Sequence, residues 1–211
     1  SNKNQRILIS TVWSGWGKVS AARATTRLCK LVFKKRSIDF LFFTGVAGAV
    51  NEKQKQWDII IADSVIQHDM DARPLYKQFV VPPLNTDKII PNQRLKEKLH
   101  TSLKIAKDNG ELKNFGMISQ GLIGTGDIFI SDKNFLTELN KKIPELMAVE
   151  MEGAAFAQVA FQEKINWIIL RVISDEANDS ADIDFSEFLE KYKKYSWELI
   201  KSFLKRLSSF S

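Results

Sequence analysis

The sequence predicts a single α/β domain built on a central, twisted, mostly parallel mixed sheet flanked by helices, and three observations predict it. Short continuous apolar runs alternate with helical patterns, several of those runs end in glycine-rich or carboxylate-bearing turns, and 211 residues, 44% apolar and 27% charged, suffice for one well-filled core. The runs at 40–44, 59–66 and 168–173 are apolar almost throughout, as strands covered on both faces must be.

Taken in order, residues 6–12 are β-branched and apolar and predict a first strand. It runs into the turn Trp13-Ser14-Gly15-Trp16-Gly17, then into a helix whose inward positions are Val19, Ala22, Thr26, Cys29 and Phe33. The basic run 30–36 reads as the cationic C-terminus of that helix, where its dipole favours positive charge. The strands at 40–44 and 59–66 follow, and residues 75–91, with Pro74, Pro82, Pro83 and Pro91, predict a loop or short edge pieces lying over a site. Residues 92–108 place Leu95, Leu99, Leu103 and Ala106 on one helical face. A strand is expected to start at 115–119 and reach Gly121-Leu122-Ile123-Gly124-Thr125-Gly126-Asp127. A helix at 152–163, a buried strand at 168–173 and a long amphipathic helix at 185–207 complete the pattern, without internal repeats.

Composition narrows the function. No apolar run approaches the roughly 20 residues that span a bilayer, so no membrane span is expected. A single cysteine, Cys29, cannot form an internal disulfide and suits a half-buried helix position. The two histidines, His68 and His100, lie far apart with no cysteine cluster beside them, so neither a metal nor a cofactor is expected. His68 reads as structural or at a rim. The net charge of +6 is spread along the chain and carries no basic-aromatic motif of a nucleic-acid reader.

In such sheets, polar residues at the carboxyl ends of strands converge on a crevice. Three ends stand out: Thr44-Gly45-Val46-Ala47-Gly48, Glu150-Met151-Glu152-Gly153-Ala154-Ala155, and Ser174-Asp175. The first reads either as a close approach of backbone to ligand or as a tight structural turn. Two carboxylates straddling a methionine at the end of a buried strand are costly unless they meet hydroxyls or positive charge, although Glu152 alone would also suit a helix start. Asp175, held by a hydroxyl such as that of Ser174, could protonate a leaving group, or could cap a turn.

Together these segments resemble the nucleoside phosphorylase superfamily, and within it the 5′-methylthioadenosine/S-adenosylhomocysteine nucleosidases. The resemblance runs from Ile7 onward through Ser14-Gly15-Trp16-Gly17-Lys18-Val19, residues 44–48, His68-Asp69-Met70-Asp71, residues 121–130, 148–155 and 171–177. It implies a nucleoside phosphorylase-like fold and hydrolysis of the bond between adenine and a thio-substituted ribose, with a nucleoside as substrate and adenine as product. By matched position, Asp175 donates a proton to adenine N7, Glu152 binds the ribose hydroxyls, Met151 packs under the sugar and Glu150 lines that pocket. Phe129 stacks on adenine, the backbone of Ile130 reads its polar edge, Ser174 orients Asp175, and Arg171 sits near the attacking water. Trp16 and Phe185 form the apolar lining near the sugar and its 5′ substituent, and Val46, Ala47 and Gly48 complete the binding set. A homodimer, with residues 74–83 closing over the partner's site, and a cytoplasmic location are further implications. An exported protein is the alternative if a signal segment once preceded Ser1.

Water is favoured over phosphate as nucleophile. A related phosphorylase branch carries an arginine and a serine where this chain has Phe43 and Val46, neither of which binds phosphate through its side chain. Two departures from the nucleosidases stand out. The family's first strand, with a glutamate thought to activate water, has no counterpart in residues 1–211, and Val46 replaces a usual serine. The alternatives are a non-catalytic or surface-displayed homologue that binds polyanions such as glycosaminoglycans, and a purine nucleoside phosphorylase.

Overall fold

A computed structural model describes residues 7–32, 37–175 and 181–207, with side chains from 185 in the last segment. The order of elements is α1 (Lys18–Cys29), β1 (Phe40–Ala49), β2 (Ile59–Gln67), a 3₁₀ turn (Pro82–Leu84), β3 (Lys88–Ile89), α2 (Gln93–Asp108), β4 (Ile118–Thr125), α3 (Lys133–Lys142), β5 (Leu146–Glu150), α4 (Gly153–Gln162), β6 (Asn166–Asp175) and α5 (Ala181–Leu207).

The six strands run β3-β2-β4-β5-β1-β6. The ladders β1–β6, β2–β4 and β4–β5 are parallel; β1–β5, β2–β3 and a short β2–β6 pairing are antiparallel. The mixed, mostly parallel sheet expected from the sequence is therefore present. Side-chain parity along β6 explains why its run is apolar on both faces: Trp167, Ile169 and Ile173 join the core beneath α1 and α4, while Ile168, Leu170 and Val172 join the core beneath α2 and α5. α5 contributes Phe188, Leu199 and Phe203 to the second core, from the stripe the sequence predicts. α2 is capped by Asn92, whose side chain accepts from the Leu95 N–H at 2.9 Å.

Several expectations need correction. α1 buries Ala21 and Thr25, while Val19, expected to point inward, is 80% exposed and Thr26 is exposed too. The strand predicted at 6–12 is absent from its described part: residues 7–14 carry no regular structure, with Ile7, Leu8, Ile9 and Val12 exposed. A β-branched run favours extended backbone, but only a ladder partner makes it a strand, and none pairs with it among the described residues. The strand at 115–119 begins at Ile118, because Phe115 is drawn into the core under α2 and the Gly116 N–H bonds the Trp57 carbonyl. α3 escaped the sequence reading altogether; Asp132 caps it and Leu136 and Leu139 anchor it. Phe33 and the basic residues 34–36 lie outside the described residues, as do Glu176 and Ala177. The segment 75–91 holds the 3₁₀ turn, an isolated bridge between Val81 and Thr86 and the two-residue β3, the loop and short pieces expected.

Candidate active site

The residues that carry chemistry gather where β4, β5, β1 and β6 end. Gly48 is the junction: its Cα pairs with Val149 on one side and with Asp175 on the other, so Asp175 and Val149 lie two strand spacings apart, about 10 Å. Thr125 at the end of β4 pairs in turn with Glu150 at the end of β5.

Glu150 and Arg171 form the buried centre, each side chain 2% exposed. The Glu150 carboxylate accepts from the Thr125 hydroxyl, the Arg171 guanidinium, the Glu152 N–H at 3.1 Å and the Gly153 N–H at 2.8 Å. The Thr125 hydroxyl in turn accepts from the Ala154 N–H at 2.8 Å. The first amides of α4, which no helical carbonyl can satisfy, are thus capped by Glu150 and Thr125.

Strand parity explains how Arg171 reaches this point. It lies on the α4 face of β6 with Trp167 and Ile169, beside Gly45 of β1, where a Cβ would stand 2.5 Å from its guanidinium nitrogen. Gly45 is therefore required by close approach. The guanidinium carbon sits 4.4 Å from the centre of the Phe43 ring, which itself stacks on Phe156 of α4.

Glu152 stands immediately before α4 with its side chain 18% exposed, 3.9 Å from Arg171, and accepts the Gly17 N–H at 2.8 Å. Burial, and then the charge of Glu150, push its carboxyl above the usual range, against the lowering influence of Arg171 and of the Gly17 and Met151 amides. Met151 is half-buried between the two glutamates.

Asp175 is 5% exposed and accepts the Ser174 hydroxyl at 2.6 Å. Ser174 is fixed from two sides, its hydroxyl 3.3 Å from the Ala47 carbonyl and its own carbonyl accepting from the Gln56 amide at 2.7 Å. Ala47 and Gly48 are buried at the end of β1, and Val46 packs partly buried against the core beneath α5.

An aromatic rim adjoins these groups. Phe185 of α5 makes edge-to-face contacts with Trp16 at 6.0 Å and Phe129 at 5.7 Å. Trp16 and Phe129 are 61% and 39% exposed, while Ile130 is buried against α3. An apolar, aromatic edge faces an acidic, hydrogen-bonding floor, which suits a ligand with one flat apolar part and one hydroxylated part.

The family model for the phosphorylase superfamily matches residues 4–205. This chain belongs to that superfamily. Within it the chain falls among the 5′-methylthioadenosine/S-adenosylhomocysteine nucleosidases: the protein of that name from Staphylococcus haemolyticus is 34% identical over 195 residues, 92% of this chain and 80% of the relative. Two solved structures agree, each with a TM-score of 0.80 at 31% identity over 92% of this chain. One is the Neisseria meningitidis nucleosidase in complex with methylthio-immucillin-A, of which 79% is covered. The other is the Colwellia psychrerythraea nucleosidase in complex with adenine, of which 76% is covered.

In this superfamily member the sequence-predicted residues fall into three groups: Glu150, Glu152 and Arg171; Ser174 and Asp175 with Ala47 and Gly48; and Trp16, Phe129 and Phe185. Thr125 and Phe43 were missed as parts of the site, and Gly45, read as a close approach of backbone to ligand or as a tight turn, instead makes room for Arg171. Their signal was available in principle, since Thr125 ends a buried strand and Gly45 shares a face with Arg171. Recognising them needed the strand register. His68 lies just beyond β2, buried, with its ring against Gly124 and Gly126 and neither nitrogen paired; burial pushes it below the ordinary histidine range. Cys29 is half-buried, and burial raises its thiol above the ordinary range. Among the described residues no group of three His, Cys, Asp or Glu could hold a metal ion, and no helix is long and apolar enough to cross a membrane.

Proposed function

We propose that this chain hydrolyses the N-glycosidic bond of 5′-methylthioadenosine and S-adenosylhomocysteine, and of 5′-deoxyadenosine, releasing adenine and the corresponding ribose. The observation that carries this reading is that β5 and β6 flank Gly48 and end near two unlike carboxyl groups: Asp175, buried and held by a hydroxyl, and Glu152, two residues past β5 and partly open beside Arg171. As the C1′–N9 bond breaks, its electron pair passes to the purine, and the Asp175 proton goes to N7, so that neutral adenine departs. Glu152 accepts the ribose hydroxyls as the sugar gains positive character, with Met151 beneath the ring. Water adds to C1′. Phe129 and Ile130 hold the purine, Trp16 and Phe185 line the 5′ end, and Ser174 fixes the Asp175 carboxyl.

Residues 1–211 are read as one nucleosidase domain that works as a cytoplasmic homodimer, with residues 74–83 near the partner's site. Relatives whose structures hold adenine and a methylthio nucleoside analogue support the substrate class and weigh against the polyanion-binding reading.

The test is adenine release from methylthioadenosine by this chain in phosphate-free buffer, compared with Asp175→Asn. The expected result is release without phosphate that falls about 10²–10⁴-fold in the variant. A natively folded chain that releases no adenine overturns the reading, and strict dependence on phosphate replaces it with a phosphorylase.

A further inference from the structure

We propose that Asp69 is a positioning residue that clasps together the two lips of this site, the turn carrying Trp16 and Gly17 and the turn carrying Asp127, Phe129 and Ile130. The inference rests on the nucleosidase reading for what the lips hold, and on geometry for the clasp itself.

Asp69 lies two residues beyond β2 and uses both carboxylate oxygens. One accepts the Lys18 ammonium at 2.7 Å; the other accepts the Asp127 N–H at 3.0 Å. The Asp127 carboxylate closes the ring by accepting the Lys18 N–H at 2.8 Å. Three chain segments are thereby tied in one cycle of hydrogen bonds, beside which the Lys18 ammonium also lies 3.4 Å from the Gln67 side-chain oxygen. The side chains of Lys18 and Asp69 are 20% and 21% exposed, so the pair is more shielded than an ordinary surface ion pair. Burial alone would raise the Asp69 carboxyl, but its bonds from Lys18 and the Asp127 amide outweigh burial and hold it below the usual range.

The first lip needs such a tie. Gly15 and Gly17 both have positive φ, at 82° and 84°, so this turn samples many backbone states when free. Gly17 has no side chain to cap α1, and the amides at the start of that helix are satisfied from elsewhere: Gly17 by Glu152, Lys18 by Asp127. Losing Asp69 removes the bonds from the Lys18 ammonium and the Asp127 amide and leaves the two lips tied by the Lys18 N–H to Asp127 bond, which loosens the turn that holds one oxygen of Glu152. Trp16 and Phe129, one on each lip, each meet Phe185 edge to face, and such contacts do not fix a backbone. Asp69 thus couples the purine side of the site to the ribose side.

Loose lips must be ordered by substrate, so the effect falls on binding more than on the bond-breaking step. For Asp69→Ala we expect KM for methylthioadenosine to rise about tenfold while kcat changes less than about threefold. Asp69→Asn, which keeps one acceptor oxygen, recovers part of the loss. Lys18→Met raises KM by itself yet adds nothing to Asp69→Ala, because both act through one interaction. Hydrogen exchange supplies a readout independent of activity: the Gly17, Lys18 and Asp127 amides exchange faster in Asp69→Ala, while those of α2 keep their protection. Unchanged KM in an active protein, or unchanged exchange at those three amides, overturns the clasp. A wild-type chain that releases no adenine sinks the nucleosidase reading, and exchange alone then decides the role of Asp69.

Discussion

β6 divides into two halves that obey different rules. From Trp167 to Leu170 it is apolar on both faces, fully covered by helices and by its neighbours β1 and β2. From Arg171 to Asp175 it is just as buried, yet carries a guanidinium, a hydroxyl and a carboxyl. In the first half each side chain contributes through the surface it removes from water and the space it fills. In the second half polar groups are tolerated because each answers another, Arg171 with Glu150 and Ser174 with Asp175. Burial alone therefore does not distinguish a core from a site; what a side chain must be paired with does.

The largest effect that separates the halves is expected from Arg171→Met. It retains bulk but leaves Glu150 as a buried charge without its cation, which costs about 4 kcal/mol in urea unfolding. Adding Glu150→Gln recovers part of that loss, while adenine release stays low. If Arg171→Met were as stable as wild type, the pair would not be holding the end of β6. In the apolar half, Leu103→Ala, opposite Leu170 in the α2–α5 core, costs about 3 kcal/mol through lost transfer and the cavity left behind. Adenine release per folded molecule stays at the wild-type level. A change in KM there would show that the two halves are coupled.

The apolar half was legible from the sequence because its signal is local: the runs at 59–66 and 168–173 and the stripe of α5 announce burial without knowledge of what covers them. The site was legible only where polar residues interrupt such runs, as at Glu150, Glu152, Ser174 and Asp175. Thr125, Gly45 and Asp69 act across 25, 126 and 58 residues, on Glu150, Arg171 and Asp127, and no periodicity carries such distances. The failed strand at 6–12 shows the reverse limit, a strong local preference without a ladder partner among the described residues.

A finer probe of the apolar half is Ile168→Val, which removes one methylene from a fully buried position of β6 in the core beneath α2 and α5. It costs about 1 kcal/mol and leaves KM and kcat unchanged. Equilibrium unfolding alongside the assay checks both; a kinetic change larger than the stability change would mean that volume at the sheet centre sets the site's geometry.

The smallest effect is a displacement of the pH profile. On the proposed function Glu152 accepts the ribose hydroxyls as a carboxylate, and burial and the charge of Glu150 raise its carboxyl above 4.5. The acid limb of kcat/KM then lies above the ordinary glutamate range, since activity falls as pH drops through the raised value. Glu150→Gln removes that neighbouring charge and frees Arg171, 3.9 Å away, to serve Glu152 alone. Both changes favour the ionised form, so the limb moves to lower pH, even as the maximal rate falls. Stability runs the other way: a carboxyl raised in the fold favours its protonated form there, so its contribution is fully present below 4.5 and is lost as pH rises through the raised value. Glu150→Gln therefore narrows the pH window of that loss in unfolding experiments while widening the acid side of the activity profile. A limb that stays in place, or moves up, would show that the charge of Glu150 is not what Glu152 feels.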